Sequence, residues 1–232
     1  KKYAECLIKT GDLTKSEKLI KNFYKKTGDP TILIDLGLVY GKKGDLNMAQ
    51  SKFELAIKEA KKQTRFLSQI GHRFLKEKMY TEALIAYKLA KKETSSANYS
   101  LQIGNIYSQI GNVESMYSEL IELLYTHPNY FQTCKNKIRL TISEDPTNEN
   151  NKKLKKKLIK SIQTKDSYEV YKLLIWLLLQ EKLFPDALSY EISIDKRIAN
   201  NSNDIISLGD IAFSNNDYET AIAAYEYIIE NN

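Results

Sequence analysis

The sequence predicts an all-α fold of repeated helical hairpins, from two features of its composition and one repeating pattern. The 232 residues include only 9 Gly and 4 Pro, too few for the many turns of a β-sandwich or β-barrel. With 42% hydrophobic and 28% charged residues, the composition is that of a folded globular chain. The longest wholly apolar run, 173–179, has seven residues, far below the roughly 20 that a membrane-spanning helix needs. We therefore expect no transmembrane segment.

The repeating pattern begins with a glycine that follows a leucine or isoleucine. Such pairs place glycine at positions 37, 71 and 104, at spacings of 34 and 33 residues. A further copy at Gly209 follows after 105 residues, close to three more units. An internal period of this length is typical of repeat architectures, in which one supersecondary unit stacks on the next.

Each unit has a second half in which small and aromatic residues recur at i, i+4 and i+7, which is one face of a helix. The copies are Ala49, Phe53 and Ala56; Ala83, Tyr87 and Ala90; and Ala221, Tyr225 and Ile228. Asp45, Asn112 and Asp217 fall in the turn before this half, where a side-chain oxygen can cap the helix. Each unit is therefore predicted to be two amphipathic helices joined by a short turn.

This pattern resembles the tetratricopeptide repeat (TPR) family. The best match lies in 30–63, where the family positions are filled by Gly37, Tyr40, Gly44, Ala49, Phe53 and Ala56. The resemblance implies a right-handed α-α superhelix, a single TPR solenoid of about seven helix-turn-helix units over 1–232. The approximate units are 1–29 (partial), 30–63, 64–96, 97–130, 131–167 (divergent), 168–201 (divergent) and 202–232 (incomplete). Pro146 predicts an extended turn over 143–151 in the fifth unit.

The resemblance also implies a binding surface. In TPR proteins the first helix of each unit lines a concave groove, and extended peptides commonly lie in it. The groove residues carried over to this chain are Arg65, Ser68, His72, Lys76, Asn98, Leu101, Asn105, Ser108, Gln109, Lys172 and Trp176. Cations beside amides could hold backbone groups and an acidic side chain or C-terminus of another protein. The alternative is a solvated helix face.

Two further segments leave two interpretations open. Trp176, the only tryptophan, lies in the apolar run 173–179 and is either part of the core or a partner-binding patch. The segment Lys152–Lys160 places six lysines on an amphipathic helix, which is either a solvated face or a surface for phosphates or anionic lipid. The segment contains no arginine and no stacking aromatic residue, which makes nucleic acid an unlikely partner.

No arrangement of residues predicts catalysis. His72 and His127 are 55 residues apart without a further ligand at helical spacing, Cys6 and Cys134 are interpreted as buried or half-buried free thiols, and no glycine-rich phosphate loop occurs. We therefore predict a non-enzymatic protein-protein interaction scaffold that binds another protein or an extended peptide. It is predicted to have no catalytic residue, cofactor, metal or small-molecule substrate. The alternatives are a nucleic-acid or anionic-surface binder using Lys152–Lys160, and a regulatory TPR segment of a longer enzyme.

The ends of the chain and its composition carry two more expectations. The start, Lys1 without a methionine, indicates an internal or processed beginning. Ala221, Ile222, Tyr225 and Ile228 would leave part of a stacking face uncovered, so we expect further chain or a partner contact beyond the last unit. A sequence rich in Lys, Asn, Ile and Tyr is similar to bacterial envelope-associated TPR proteins, which favours the periplasm, with the cytoplasm as the alternative.

Overall fold

The computed structural model of the protein describes residues 2–94, 97–198 and 202–231. Within these ranges the chain forms fourteen α-helices and no strand, so the prediction of an all-α helical repeat fold is confirmed. The helices are α1 (Lys2–Thr10), α2 (Leu13–Thr27), α3 (Thr31–Lys42), α4 (Leu46–Lys61), α5 (Arg65–Lys76), α6 (Tyr80–Glu93), α7 (Ala97–Gln109), α8 (Val113–Thr126), α9 (Phe131–Arg139), α10 (Glu149–Thr164), α11 (Tyr168–Gln180), α12 (Phe184–Ile198), α13 (Ser202–Ser214) and α14 (Tyr218–Asn231). A single 3-10 turn, Pro128–Tyr130, leads into α9.

The helices group into two compact units, the first ending at Ile106 and the second beginning at Tyr107, both within α7. In the first unit α1 packs on α2, α3 on α4 and α5 on α6, and α3 also packs on α5. In the second unit α11 packs on α12 and α13 on α14, while α10 packs on both α8 and α11. Hairpins of consecutive helices with short connections therefore make up α1–α6 in the first unit and α11–α14 in the second. No helix in the described ranges combines the length and the apolar character needed to cross a membrane.

The hairpin turns share one backbone feature, a residue in the left-handed region just before the second helix. Gly11, Gly44 and Gly111 occupy it at φ values of 86°, 84° and 73°, and glycine adopts such angles without a Cβ clash. The equivalent residues of later or degenerate hairpins are Lys78, Lys182 and Asn216, at φ values of 59°, 56° and 63°. The turn geometry is therefore kept even where the glycine is lost.

The predicted helix caps are confirmed. The side chain of Asp45 accepts a hydrogen bond from the Met48 N–H at 2.9 Å, and Asn112 accepts one from the Ser115 N–H at 3.0 Å. Asp217 caps α14 in the same way, at 3.1 Å from the Thr220 nitrogen. Each cap satisfies one of the backbone donors that a helix start leaves unpaired.

A glycine in the first helix of a hairpin allows close approach of the second helix. A Cβ placed on Gly37 would overlap the ring of Phe53. The same arrangement recurs at Gly209, where a Cβ would lie 2.8 Å from the Tyr225 ring. Real side chains do not tolerate such contacts without a shift of the backbone. Gly41, one turn further along α3, is different, since a Cβ there would meet only Ala49 at 3.9 Å.

The connection between α9 and α10 differs from the hairpin turns, because α9 packs on α8, and α10 packs on α8 and α11. This connection is long, and α10 begins at Glu149, so the predicted turn over 143–151 is wrong at its C-terminal end. The side chain of Asn151 is buried and reaches back into the connection. Its Nδ2 donates to the Ser143 carbonyl at 2.8 Å, and its Oδ1 accepts from the Ser143 N–H at 3.1 Å. A buried amide therefore holds this connection in place of a glycine turn.

Candidate functional site

An apolar pocket of about 680 Å³ opens on the first unit. Its α3 wall contains Gly37, Leu38 and Gly41, and its α4 wall contains Ala49 and Phe53. The remaining apolar residues that line it are Ile8, Leu46 and Met79. Small residues on two packed helices leave a space that their neighbours do not fill. The pocket is large enough to take a side chain of another molecule.

Three lysines also line this pocket, Lys9, Lys42 and Lys76. Each lies two residues before the left-handed turn residue of its own hairpin, so the repeat brings equivalent positions of three successive hairpins together. Lys42 Nζ donates to the Ile8 carbonyl at 3.3 Å. Among the described residues, no carboxylate forms an ion pair with Lys42 or Lys76. The pocket therefore combines an apolar interior with these lysines, and the one carboxylate residue in its described lining, Glu77, is paired with Arg73.

Arg73, a fourth cation at the pocket, has a different role. Its Nη2 lies 2.7 Å from Oδ1 of the buried Asp35, and its Nε donates to the same oxygen at 3.2 Å. It also pairs with Glu77, which directly follows α5. A guanidinium with two carboxylate partners joins α3 to α5 and is already neutralised. The positive charge available to a ligand therefore belongs to the lysines.

The structure distributes the predicted groove residues of the first unit over one face of α5 and part of α7. Arg65, His72 and Lys76 are exposed and Ser68 is half-buried. Spacings of three and four residues place these four on one face of α5. Leu101 and Asn105 on α7 are half-buried, and the side chain of Asn98 lies outside the described residues. Of this set, Lys76 lines the pocket.

Sequence reasoning did not select Lys9 and Lys42, although a signal for them existed. Lys9, Lys42 and Lys76 are separated by 33 and 34 residues, the same period as the glycines. The three lysines occupy the same position when each is counted from the left-handed turn residue of its hairpin. Counting from the glycine of the first helix does not show this for all three. The apolar interior could not be found this way, because Ile8, Leu46 and Met79 occupy different positions in their hairpins.

In the second unit, Ser108 and Gln109 at the end of α7 are exposed, and the other predicted groove residues lie on α11. Trp176 and Lys172 are half-buried, whereas Leu173, Leu174, Ile175, Leu177 and Leu178 are buried. Lys172 Nζ lies 3.0 Å from Asp204 Oδ2, and Nζ of Lys135, from α9, lies 5.3 Å from the centroid of the Trp176 ring. Most of the apolar run is therefore core, and Trp176 lies at its margin.

The lysine segment 152–160 is partly neutralised by the structure. Lys155 Nζ lies 2.5 Å from the buried Glu181, Lys157 Nζ lies 3.3 Å from Glu114, and Lys152 Nζ lies 3.0 Å from Glu149. In the part of the chain that the structure describes, Lys153, Lys156 and Lys160 have no such partner. The face that remains basic is narrower than the sequence suggests.

The nucleophilic and metal-binding side chains offer little chemistry. The described residues contain no group of three or more His, Cys, Asp or Glu that could hold a metal ion. Cys134 is buried, and burial raises the pKa of its thiol to about 12, so the reactive thiolate is scarce at neutral pH. Cys6 is exposed, so the prediction of a buried or half-buried thiol is wrong there. The helix α1 is short and leaves this side chain in solvent.

A family model for the tetratricopeptide repeat matches residues 30–63 of this chain. These residues contain α3 and α4, the hairpin whose glycine and aromatic positions match the family pattern most fully. The predicted resemblance to tetratricopeptide repeat proteins is thereby confirmed. No curated protein sequence matches the chain.

The chain is similar to several solved structures at low sequence identity. A tetratricopeptide repeat protein from Parabacteroides merdae is 15% identical, with 99% of this chain and 90% of that chain covered and a TM-score of 0.37. The C-terminal part of a TPR repeat-containing protein from Cytophaga hutchinsonii is 18% identical, with coverages of 100% and 95% and a TM-score of 0.38. YrrB, a TPR protein with an unusual peptide-binding site, is 11% identical, with 91% of each chain covered and a TM-score of 0.32.

Proposed function

We propose that this tetratricopeptide repeat protein is a non-enzymatic scaffold that holds an extended segment of another protein at the pocket of its first unit. One observation carries the proposal: the pocket joins an apolar interior of Gly37, Leu38 and Phe53 to Lys42 and Lys76, which have no described carboxylate partner. An apolar side chain with acidic neighbours matches both features. The interior takes the apolar group, and the lysines take the carboxylates.

The two features contribute unequally to binding. Complete burial of an apolar side chain is worth about 1.5–3 kcal/mol, whereas an exposed lysine-carboxylate pair is worth roughly 0.2–1 kcal/mol. The apolar anchor therefore supplies most of the affinity. The lysines select an acidic partner over a basic one and accelerate its association.

One face of α5 indicates where the bound protein segment would run beyond the pocket. Lys76 lines the pocket, and Arg65, Ser68 and His72 continue the same helix face at spacings of three and four residues. A segment that leaves the pocket past Lys76 would run along these polar side chains. Two more predicted groove residues of the first unit, Leu101 and Asn105 on α7, belong to the same proposal.

The test is a binding titration with fluorescein-labelled peptides that carry one leucine between two pairs of glutamates. Charge reversal of the pocket by Lys42→Glu with Lys76→Glu should weaken binding by at least about tenfold, which corresponds to ~1.4 kcal/mol. The matched control is Lys58→Glu with Lys61→Glu on α4, since both lysines are exposed and neither lines the pocket.

Two further peptides separate the anchor from the charges. Replacing the leucine by glycine should abolish most of the affinity, and replacing the glutamates by lysines should weaken binding by about tenfold. Equal affinity of the pocket variant and the control variant would refute the proposal. Failure of the native chain to bind the acidic peptide more tightly than the basic one would refute it as well.

The alternative of an anionic-surface binder has weaker support. Lys152, Lys155 and Lys157 are each bonded to a carboxylate of the same chain. A phosphate or lipid headgroup would have to compete with those contacts. The lysines of the first-unit pocket face no such competition from described carboxylates.

A further inference from the structure

A second cationic cluster lies in the second unit, between α9 and α11. Lys135 of α9 is half-buried, and its ammonium lies over the indole of Trp176, 5.3 Å from the ring centroid. Contacts of this kind stabilise a cation through the negative face of the ring, but they do not neutralise its charge. Trp176 is itself half-buried, so a ligand can still reach the edge of the contact.

The surroundings of Lys135 are positive. Burial lowers the pKa of Lys135, and the charges of Arg139 and Lys172 lower it further. The neighbouring carboxylate of Asp204 is engaged elsewhere, since its Oδ2 lies 3.0 Å from Lys172 Nζ and accepts a hydrogen bond from the Tyr168 hydroxyl at 3.2 Å. Within the described residues, no carboxylate pairs with Lys135 or Arg139.

The positive charge of Lys135 is not balanced by a carboxylate among the described residues. A half-buried ammonium has lost part of its hydration, and its like-charged neighbours raise its free energy further. An arriving anion would remove both penalties, and its attraction would be screened less than at an open surface. The indole N–H of Trp176 has no hydrogen-bond partner among the described residues, so it offers a second donor for the anion.

We infer that Lys135, Arg139 and Trp176 form a binding site for a carboxylate of an acidic protein segment. The ammonium of Lys135 supplies the charge, Arg139 adds a guanidinium at the exposed side, and Trp176 provides an apolar surface for the stem of the acidic side chain. A carboxylate fits this site better than other groups do. Lys135, Arg139 and Lys172 would repel a basic group and would gain no charge attraction from a neutral one. The site lies within the second unit and does not depend on the first-unit pocket.

The single tryptophan makes this site directly measurable. Trp176 is the only tryptophan in the chain, so its fluorescence reports on this surface alone. We expect a saturable change in Trp176 emission when the native chain is titrated with a tetraglutamate peptide. Tetraglutamine and tetralysine peptides should produce no saturable change. Raising the salt concentration should weaken the tetraglutamate response, because the attraction is between exposed or half-buried charges.

Variants assign the response to Lys135. Lys135→Met keeps an unbranched stem and removes the charge, and it should weaken tetraglutamate binding by about tenfold in calorimetry, while Lys135→Arg should retain it. Lys153→Met, at an exposed position of α10, should bind as the native chain does. Circular dichroism shows whether each variant is folded, and the arginine variant keeps the test decisive if the methionine variant unfolds.

Three results would overturn the inference. The first is equal tetraglutamate affinity of Lys135→Met and Lys153→Met. The second is the same response to inorganic phosphate at equal ionic strength, which would make the site a general anion site. The third is no response of the native chain to tetraglutamate. The pocket variant with Lys42→Glu and Lys76→Glu should leave the Trp176 response unchanged, so failure of one proposal is distinguishable from failure of the other.

Discussion

The connection between α3 and α4 and the connection between α9 and α10 are held in place in different ways. In the first, Gly44 makes a tight turn with a φ of 84°, and Gly37 lets the Phe53 ring pack directly on the helix backbone. In the second, the long connection is tied down by the buried side chain of Asn151. Backbone geometry and close apolar packing hold the first connection, and a buried polar network holds the second.

The polar network around Asn151 extends beyond the connection before α10. Asn151 Nδ2 also donates to Glu181 Oε1 at 3.0 Å, and the buried Glu181 has Lys155 Nζ 2.5 Å from its other oxygen. Glu181 follows α11 directly, so the network joins the connection before α10 to the end of the next helix. Removing one member of such a network leaves the others buried without partners, which costs more than the loss of a single hydrogen bond.

The largest expected effect is therefore that of Asn151→Ala. This change removes hydrogen bonds to Ser143 and Glu181 and should destabilise the second unit by about 3 kcal/mol. Urea unfolding followed by Trp176 fluorescence measures it, because this tryptophan lies in the second unit. The matched control is the neighbouring Asn150→Ala, which loses one side-chain hydrogen bond, to the Thr141 carbonyl, and should cost about 1 kcal/mol. Similar losses for both variants would show that the network is not cooperative.

The next prediction tests the close apolar packing between α3 and α4. Gly37→Ala places a methyl group in the Phe53 ring and should destabilise the chain by about 2 kcal/mol. Gly41→Ala, in the same helix, meets only Ala49 at 3.9 Å and should be neutral or stabilising by up to ~1 kcal/mol, since alanine favours helix over glycine. Thermal unfolding followed by circular dichroism compares the two. If both alanines lowered the melting temperature equally, close packing at Gly37 would not be the reason for its glycine.

The smallest expected change in stability is at turns where a residue other than glycine has a left-handed backbone. Lys78→Gly and Lys182→Gly relieve a left-handed backbone at φ values of 59° and 56° and should each stabilise by ~1 kcal/mol or less. The reverse change, Gly44→Lys, should cost a similar amount. Melting temperatures measured on the single variants test this. A fall in melting temperature on Lys78→Gly would indicate that the lysine side chain contributes more to the turn than its backbone strain removes.

Most of the helical architecture follows from local signals. The caps at Asp45, Asn112 and Asp217 lie where the residue types predict them, because a cap involves residues only three positions apart. The turn predicted over 143–151 is wrong at its C-terminal end, because Asn148 caps α10 by accepting from the Asn150 and Asn151 N–H groups. Asparagine is favoured both in turns and at helix caps, so this run of asparagines does not show where the turn ends and the helix begins.

The candidate sites also differ in how much of them the sequence could predict. Lys9, Lys42 and Lys76 follow the repeat period, so a closer reading of the sequence could have placed them together. The pocket interior and the contact of Lys135 with Trp176 could not be read in this way. Lys135 and Trp176 are 41 residues apart and lie on helices whose sequences diverge from the repeat pattern, so no shared register predicts that they meet.

The sequence by itself determined the all-α class, the period of the helical hairpins and the capped second helices. These features depend on residues close together in the chain or on equivalent positions of successive repeats, and both kinds of relation can be counted along the sequence. The tertiary structure alone decided the open pocket, the Asn151 and Glu181 network and the cation over Trp176. Those depend on how side chains of unequal size pack between helices, and packing is a property of the whole set of neighbours rather than of any one pattern.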